Sequence, residues 1–455
     1  MSPEATDRTR RGARARTTRR GFLALAASAG LAGCNGFGYF SDDRGPTVEG
    51  AALSEVASTD PPTVTERFPV EVEQSYLDEA AATAREHLSA VPAPLDESDV
   101  PNGVIRQEVS RLYEEANEAL ADAAEATTTA DAMGRLRDAR EDARAAAAAW
   151  AAIDGDLDRE AVRASIPTVR RALEEFQFRW RYVGQAPVRA VLAHAQIEER
   201  VGFAGRRLRG AGEHHRRYRR RPDNPLAIGE FAGEVESARA AIDDAAYVYD
   251  RYVASLGDPR PIGEGLRAVG ESLVETLDER REALPGEPHA EASSLVDRDV
   301  EGTPIAEALT GLRDAEYADG LDDELATGRR ASVVLSVHDT LAQVRAFERL
   351  RERVADGEFV RVETIEDVRT IRDAAVDAVA AAADSERHSR LDRRLLASLG
   401  DFGYADRQIE EYADRDQVPV DWLVPDLSYY VAIEARAREV PAASATVAEA
   451  IGSEL

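Results

Sequence analysis

The sequence predicts an all-α fold of long antiparallel helices, arranged as one elongated bundle or two consecutive bundles. Three observations predict it. Long stretches each carry a single apolar seam, the breaks between them hold helix stop and start residues, and no convincing series of alternating strands appears.

The first seam runs through Ile105, Val109, Leu112, Ala116, Ala119, Ala123 and Ala126, at alternating four and three spacing. Ala132, Leu136, Ala139, Ala143, Ala146, Trp150 and Ile153 form the second, and Val235, Ala238, Ile242, Ala245, Tyr249, Tyr252 and Leu256 the third. Residues so spaced share one helix face, so each stretch needs a partner, as in a coiled coil or bundle. Asp154-Gly155-Asp156, Pro222-Asp223-Asn224-Pro225, Gly257-Asp258-Pro259 and Pro285-Gly286 punctuate the chain. Asn224 before Pro225 and Thr303 before Pro304 read as N-caps with Pro in the first turn, and Thr364 with Asp367 as a capping box. Without a parallel sheet, the common extracytoplasmic solute-binding folds and most hydrolase folds do not fit.

The expected organisation is a leader over 1–33, a modified Cys and flexible tether over 34–71, a helical bundle over 72–284, a linker over 285–302 and a second helical domain over 303–455. A faint echo links Asp154-Gly155-Asp156-Leu157 with Asp356-Gly357-Glu358-Phe359, each closing a long helix.

The chain of 455 residues has 86 acids against 57 cations, every cation is Arg, and the net charge is −29. That balance excludes a general nucleic-acid binder, and a single Cys excludes an internal disulfide framework or a Cys-based zinc site. Hydrophobic residues make up 44%, enough for a core.

Seven Arg lie between Arg8 and Arg20, followed by the apolar run GFLALAASAGLAG and then Cys34. This is the layout of an export signal: a basic stretch, a short apolar stretch, then small residues. Thr18-Arg19-Arg20-Gly21-Phe22-Leu23 resembles the twin-arginine motif, with Arg19, Arg20, Phe22 and Leu23 as its recognition residues. Leu31-Ala32-Gly33-Cys34 resembles a lipobox. Together with the Lys-free, acid-rich composition, the chain resembles a haloarchaeal lipoprotein exported by the twin-arginine machinery. That resemblance implies a lipid on Cys34, a membrane partner and placement on the extracellular face of the cell membrane. The competing explanation of the missing Lys, a GC-rich bacterial genome, accounts less well for the acid excess.

Residues 206–221 are the most anomalous segment. Arg206, Arg207, Arg209, Arg216, Arg217, Arg219, Arg220 and Arg221 stand with one Glu in a body that is otherwise acidic. Such a cluster suits an anionic surface or a phosphate-bearing ligand, but the abundance of acids elsewhere favours a helix end paired to neighbouring carboxylates. His214-His215 with Glu213, and His194 with Glu198 one turn later, invite a metal, but neither is HExxH, and no metal or cofactor is expected. His338 and Asp339, being adjacent, point to different sides of a helix. Asp297-Arg298-Asp299-Val300-Glu301-Gly302 begins like a calcium loop, yet Ala308 stands where a bidentate Glu belongs. Phe176, Phe178, Trp180 and Tyr182 alternate, while Ala172, Leu173, Phe176, Trp180 and Val183 share a helical face. No GxSxG, Walker loop or dinucleotide fingerprint is present. The expected role is a structural or interaction module of the cell envelope, with an envelope protein or anionic surface as partner. The alternative is an all-helical protein binding an anion through Arg179, Arg181 or the 206–221 cluster, and the third reading is a metal enzyme using His194 and Glu198.

Overall fold

The computed structural model describes residues 45–217, 224–286, 289–314, 320–384, 390–399 and 402–455. Gly45 to Leu455 form one compact unit, overwhelmingly helical, built around two large hydrophobic cores, with two smaller apolar clusters where the helices Gly103–Glu125 and Thr129–Ile153 meet.

In order, β1 (Thr47–Val48) and α1 (Gly50–Ala57) precede α2 (Gln74–Ser89), α3 (Gly103–Glu125), α4 (Thr129–Ile153) and α5 (Arg159–Arg179). Next come β2 (Val183–Gly184), α6 (Pro187–Arg217), α7 (Pro225–Ala254), β3 (Arg260–Pro261) and α8 (Gly263–Glu282). The remainder holds α9 (Ala292–Leu295), α10 (Pro304–Arg313), α11 (Leu321–Ala326), α12 (Arg330–Asp356), α13 (Ile365–Asp384), α14 (Arg390–Leu399) and α15 (Phe402–Glu410). It closes with β4 (Val418–Pro419), a 3-10 turn at Val420–Trp422 and α16 (Val424–Glu454).

The three seams lie on helices as periodicity predicts, except that Ala126 and Leu256 fall just past the ends of α3 and α7. Val109, Ala116 and Ala119 are buried on α3, and Ala132, Leu136, Ala139, Ala143 and Ala146 on α4. On α7, Val235, Ala238, Ile242, Ala245, Tyr249 and Tyr252 are all buried. Small residues let α4 and α7 approach closely: a Cβ added to Gly229 would sit 2.6 Å from the Ala145 carbonyl oxygen and 2.9 Å from the Ala149 Cβ. In the second core α16 is apolar on several faces, burying Leu427, Tyr430, Ile433, Val440, Val447 and Ile451, as a central helix must.

Helix ends follow local chemistry. Asn224 accepts the Leu226 N–H at 3.1 Å, and Thr364 and Asp367 exchange side-chain-to-backbone bonds as a capping box. Thr303 departs from expectation: its hydroxyl donates back to the Val300 carbonyl instead of capping, although Pro304 does open α10. Gly357, at φ 83°, closes α12 in the left-handed region that glycine enters without cost.

Three expected boundaries are corrected. The segment read as tether is folded from residue 45 onward. Val48 and Leu53 are buried, Thr47 and Val48 pair antiparallel with Pro419 and Val418, and Arg372 donates to the Thr59 carbonyl. Farther along, Val70 is buried and Arg189 holds the Pro69 carbonyl at 2.9 Å. The expected linker at 285–302 is knitted in as well: Leu295 and Val300 are buried, and Arg313 and Arg351 hold the Gly286 and Leu295 carbonyls. Because α8 buries Leu266, Val269, Leu273 and Leu277 in the second core, the cores divide at about the α7–α8 connection rather than at 285–302.

Helix α6 serves both cores. Ala190, Ala193, Ile197, Ala204 and Leu208 face the first, while Val191, Leu192 and Ala195 face the second. The antiparallel pairing of Val183 with Pro261 and Gly184 with Arg260 ties together the two ends of the α6–α7 hairpin.

Candidate functional site

Cys34, Arg19, Arg20, Phe22 and Leu23 lie outside the described residues, as do Arg219, Arg220 and Arg221. Arg216 and Arg217 fall in the last turn of α6. Arg206, Arg207 and Arg209 stand two to three turns earlier on the same helix, and they divide in use. Arg207 forms an ion pair with Glu141 of α4 at 2.9 Å. Arg206 is exposed and lines a groove between α4 and α6.

The groove follows from how those helices meet. Both pack on α7, and their side chains meet in step: Glu141 with Arg207, Arg137 over the Phe203 ring at 4.5 Å, and Met133 Sδ 4.0 Å from an Arg200 amino group. Both residue numbers rise together, so α4 and α6 run the same way. A hollow of about 270 Å³ opens between them, lined among others by Arg137, Gln196, Glu199, Arg200, Phe203 and Arg206.

Three guanidinium groups therefore border one hollow. Arg200 is 5% exposed; its Nη1 donates to the Gln196 carbonyl at 2.9 Å and to Gln196 Oε1 at 2.7 Å, while its Nε has no partner. Burial pulls its pKa down, opposed by Asp244 and Glu199. The buried Nε of Arg137 is likewise unpartnered, and Phe203 carries Arg137 and Arg207 at 4.5 and 5.1 Å from its centroid. Glu199, exposed, is the acid on the lining. A larger hollow of about 480 Å³ beside α9 sets Arg298 against Asp299, Glu301 and Glu307, so cations do not dominate its lining.

Behind the groove lies a buried polar row. Arg140 binds Glu236 at 2.6 and 3.0 Å and Asp243 at 3.1 Å, and the Tyr76 hydroxyl donates to Asp244 Oδ1 at 2.6 Å. Burial raises the Asp244 pKa first, with Arg200 opposing; burial and then Asp244 raise that of Tyr76.

The other candidates are engaged structurally. His194 Nδ1 accepts from Trp180 Nε1 at 3.1 Å, and its Nε2 lies 2.8 Å from the Val183 carbonyl, which fits the neutral ring. Burial lowers its pKa to about 4. Glu198 accepts the Tyr182 hydroxyl at 2.7 Å and the N–H groups of Ala331 and Ser332 at 2.9 and 2.7 Å. Both are held by hydrogen bonds within the fold, and among the described residues no metal-binding group of three or more His, Cys, Asp or Glu occurs. His338 Nε2 meets Ser444 at 2.9 Å, whereas Asp339 takes a two-point bond from Arg394 at 2.6 and 2.8 Å. Arg179 pairs with Asp250 at 2.6 Å, and Arg181 donates to the carbonyls of Phe178 and Trp180. In the calcium-like segment Asp299 pairs with Arg361 at 3.3 Å. Phe176 and Phe178 both lie in α5, which ends at Arg179, and two residues apart they face different sides: Phe176 is buried in the core while Phe178 is 80% exposed with Arg181 over its ring.

Sequence reasoning missed Arg137 and Arg200. Their signal is an unusual one: Met133-Arg137-Arg140 and Ile197-Arg200-Ala204 place Arg beside core positions on helices that bury much of their surface.

Among the described residues, no helix is long and apolar enough to cross a membrane. Residues 75–258 match a domain of unknown function, DUF8262, and residues 263–449 match a second, DUF8264. Their junction falls where the two cores divide. No curated protein and no solved structure matches the chain.

Proposed function

We propose that the chain is a non-catalytic helical module of a halophile cell envelope, exported by the twin-arginine route and held at the extracellular face of the membrane by a lipid on Cys34. The observation that carries this reading is how soon the folded body begins after that Cys. Gly45 is eleven chain steps from Cys34 and Val48 is already buried. Eleven steps span at most about 37 Å when fully extended, so a lipid on Cys34 keeps this end of the body near the bilayer.

The surface at that end supports the reading. Exposed Trp422 follows β4 closely, with Arg415 over its ring at 5.2 Å, and exposed Tyr429 stands in the second turn of α16 with Tyr404 edge-on to it. Such aromatic side chains suit the headgroup level of a membrane. Asp414, Asp416 and Asp421, exposed nearby, are compatible with an anionic surface when concentrated salt screens them. The structural engagement of His194, Glu198, His338 and Asp339 supports an interaction role over catalysis.

The test is fractionation of Cys34→Ser against wild type, with mass spectrometry of the Cys34 peptide. The wild-type chain is expected in the membrane fraction with a lipid-modified Cys, and the variant in the soluble fraction. A bare Cys34, or a variant that stays with the membrane, overturns the anchor.

A further inference from the structure

We propose that the groove between α4 and α6 binds a phosphate-type oxyanion, carried on a small molecule, through Arg137, Arg200 and Arg206. The strongest ground is a departure from the electrostatics of the chain itself. Acids outnumber Arg by 86 to 57, and several neighbouring arginines find carboxylates: Arg140 takes Glu236, Arg135 takes Asp131, Arg207 takes Glu141. Among the described residues, Arg137, Arg200 and Arg206 form no such pair, and all three border one hollow.

Keeping a guanidinium buried without a carboxylate is costly, since the group stays charged at any ordinary pH. Here Arg200 is kept so, and Arg137 is half-buried beside it. Arg200 is almost fully buried with its Nε unpartnered, and the Arg137 Nε is buried and unpartnered beside it. Both are positioned by groups that carry no charge: Gln196, a neutral amide, for Arg200 and the Phe203 face for Arg137. Asp244, which accepts the Tyr76 hydroxyl, acts on Arg200 and Arg137 from behind the lining and is not itself part of it.

The lining sets three positive charges against one, that of Glu199, leaving an excess of two. A phosphate monoester carries about −1.5 to −2 near neutrality and offers three acceptor oxygens. A carboxylate offers two, enough for one guanidinium fork. Donors arriving from α4 on one wall and α6 on the other suit a tetrahedral group better than a planar one. The volume of about 270 Å³ leaves room for a phosphate and a small substituent. In concentrated salt a single Coulombic contact is heavily screened, whereas several directed guanidinium bonds retain selectivity over chloride.

The test is calorimetric titration of the full chain in molar KCl with inorganic phosphate, with acetate as the planar control. Saturable one-site phosphate binding is expected, with acetate at least tenfold weaker. Arg206→Gln alters an exposed side chain and is expected to melt like wild type, yet to weaken phosphate about tenfold, the worth of one charge-assisted bond. Arg137→Gln should do the same. Competition then separates the sources: displacement by glycerol 3-phosphate alone marks a soluble monoester, and equal displacement by glycerophosphoglycerol marks a lipid headgroup. Absence of saturable phosphate uptake, or unchanged affinity in both variants, overturns the site. The readout does not depend on Cys34, so it stands or falls apart from the anchor.

Discussion

The Glu198 carboxylate of α6 accepts the backbone N–H groups of both Ala331 and Ser332, at 2.9 and 2.7 Å, so a side chain rooted between the two cores caps α12 of the second. The first turn of any helix leaves its N–H groups without intrahelical partners, and an anion there also meets the positive end of the helix dipole. Glu198→Ala strands those two donors in a site that is 3% exposed, while the Tyr182 hydroxyl keeps the Gly328 carbonyl. A loss of about 2–5 kcal/mol is expected. Glu198→Gln keeps one acceptor oxygen and should fall between. Urea unfolding checks this, and an alanine variant as stable as wild type would show that the cap does not couple the cores.

Two buried histidines set a pH dependence whose sign is fixed. Burial holds His338, like His194, at about 4, below its ordinary value of 6.5. Between those values the unfolded chain takes protons that the folded chain refuses. Their contribution is therefore complete above pH 6.5 and is lost as pH falls toward 4, at about 1.4 kcal/mol per pH unit for each ring. Asp142, raised to about 6 by burial and neighbouring acids, works in the opposite direction, so the total curve mixes both signs. The difference between wild type and His338→Gln isolates one ring. The advantage of wild type should shrink between neutrality and about pH 5. Urea midpoints at the two pH values measure it, and a constant difference would contradict a neutral buried His338.

Much of the fold was legible because helical periodicity is local. Val235 to Tyr252 and Ala132 to Ala146 announce their buried faces without reference to any other part of the chain. What sequence could not supply was pairing at long range. The helical face through Phe176 and Trp180 could be carried on to Val183, yet Trp180 turns extended so that Val183 meets Pro261. Val48 and Leu53 sit in a polar stretch that resembles a tether, and the strand that buries Val48 lies at 418–419. The groove was half legible. The density of Arg drew attention to 206–221, but the same run places Arg207 on a carboxylate and Arg206 on a hollow, and only α4 distinguishes them. Arg137 and Arg200 look like ordinary charged surface in a chain so rich in charge.

Two glycines in helix interiors should respond oppositely to Ala. At Gly229 the new Cβ would lie 2.6 Å from the Ala145 carbonyl oxygen, a backbone atom that cannot swing aside, so α7 must shift from α4. The expected loss is about 1–3 kcal/mol, the usual range for overpacking. At Gly311, inside α10, nothing lies within 4 Å of the added Cβ. There the chain gains helix propensity at no steric cost, worth about 0.5–1 kcal/mol of added stability. Thermal melts of both variants decide it. A neutral Gly229→Ala would mean the helices are not in the close contact described.

A net charge of −29 makes the folded chain repel itself, and the strength of that repulsion is set by salt. Many cations are already committed: Arg111 bridges Glu108 and Glu115, Arg267 binds Glu271, and Arg353 and Arg438 share Glu434. Such pairs leave the excess of acids uncompensated. The Debye length shortens from about 30 Å at 0.01 M salt to about 8 Å at 0.15 M, so most long-range repulsion disappears within that interval. Salting-out effects on apolar burial belong mainly to higher concentrations of strongly excluded ions. Melting temperature should therefore climb steeply over the dilute range, and climb equally with NaCl and KCl. A response that appears only at molar concentrations, or one that differs between the two cations, would assign the salt requirement to water structure or ion binding instead of to the carboxylate surface.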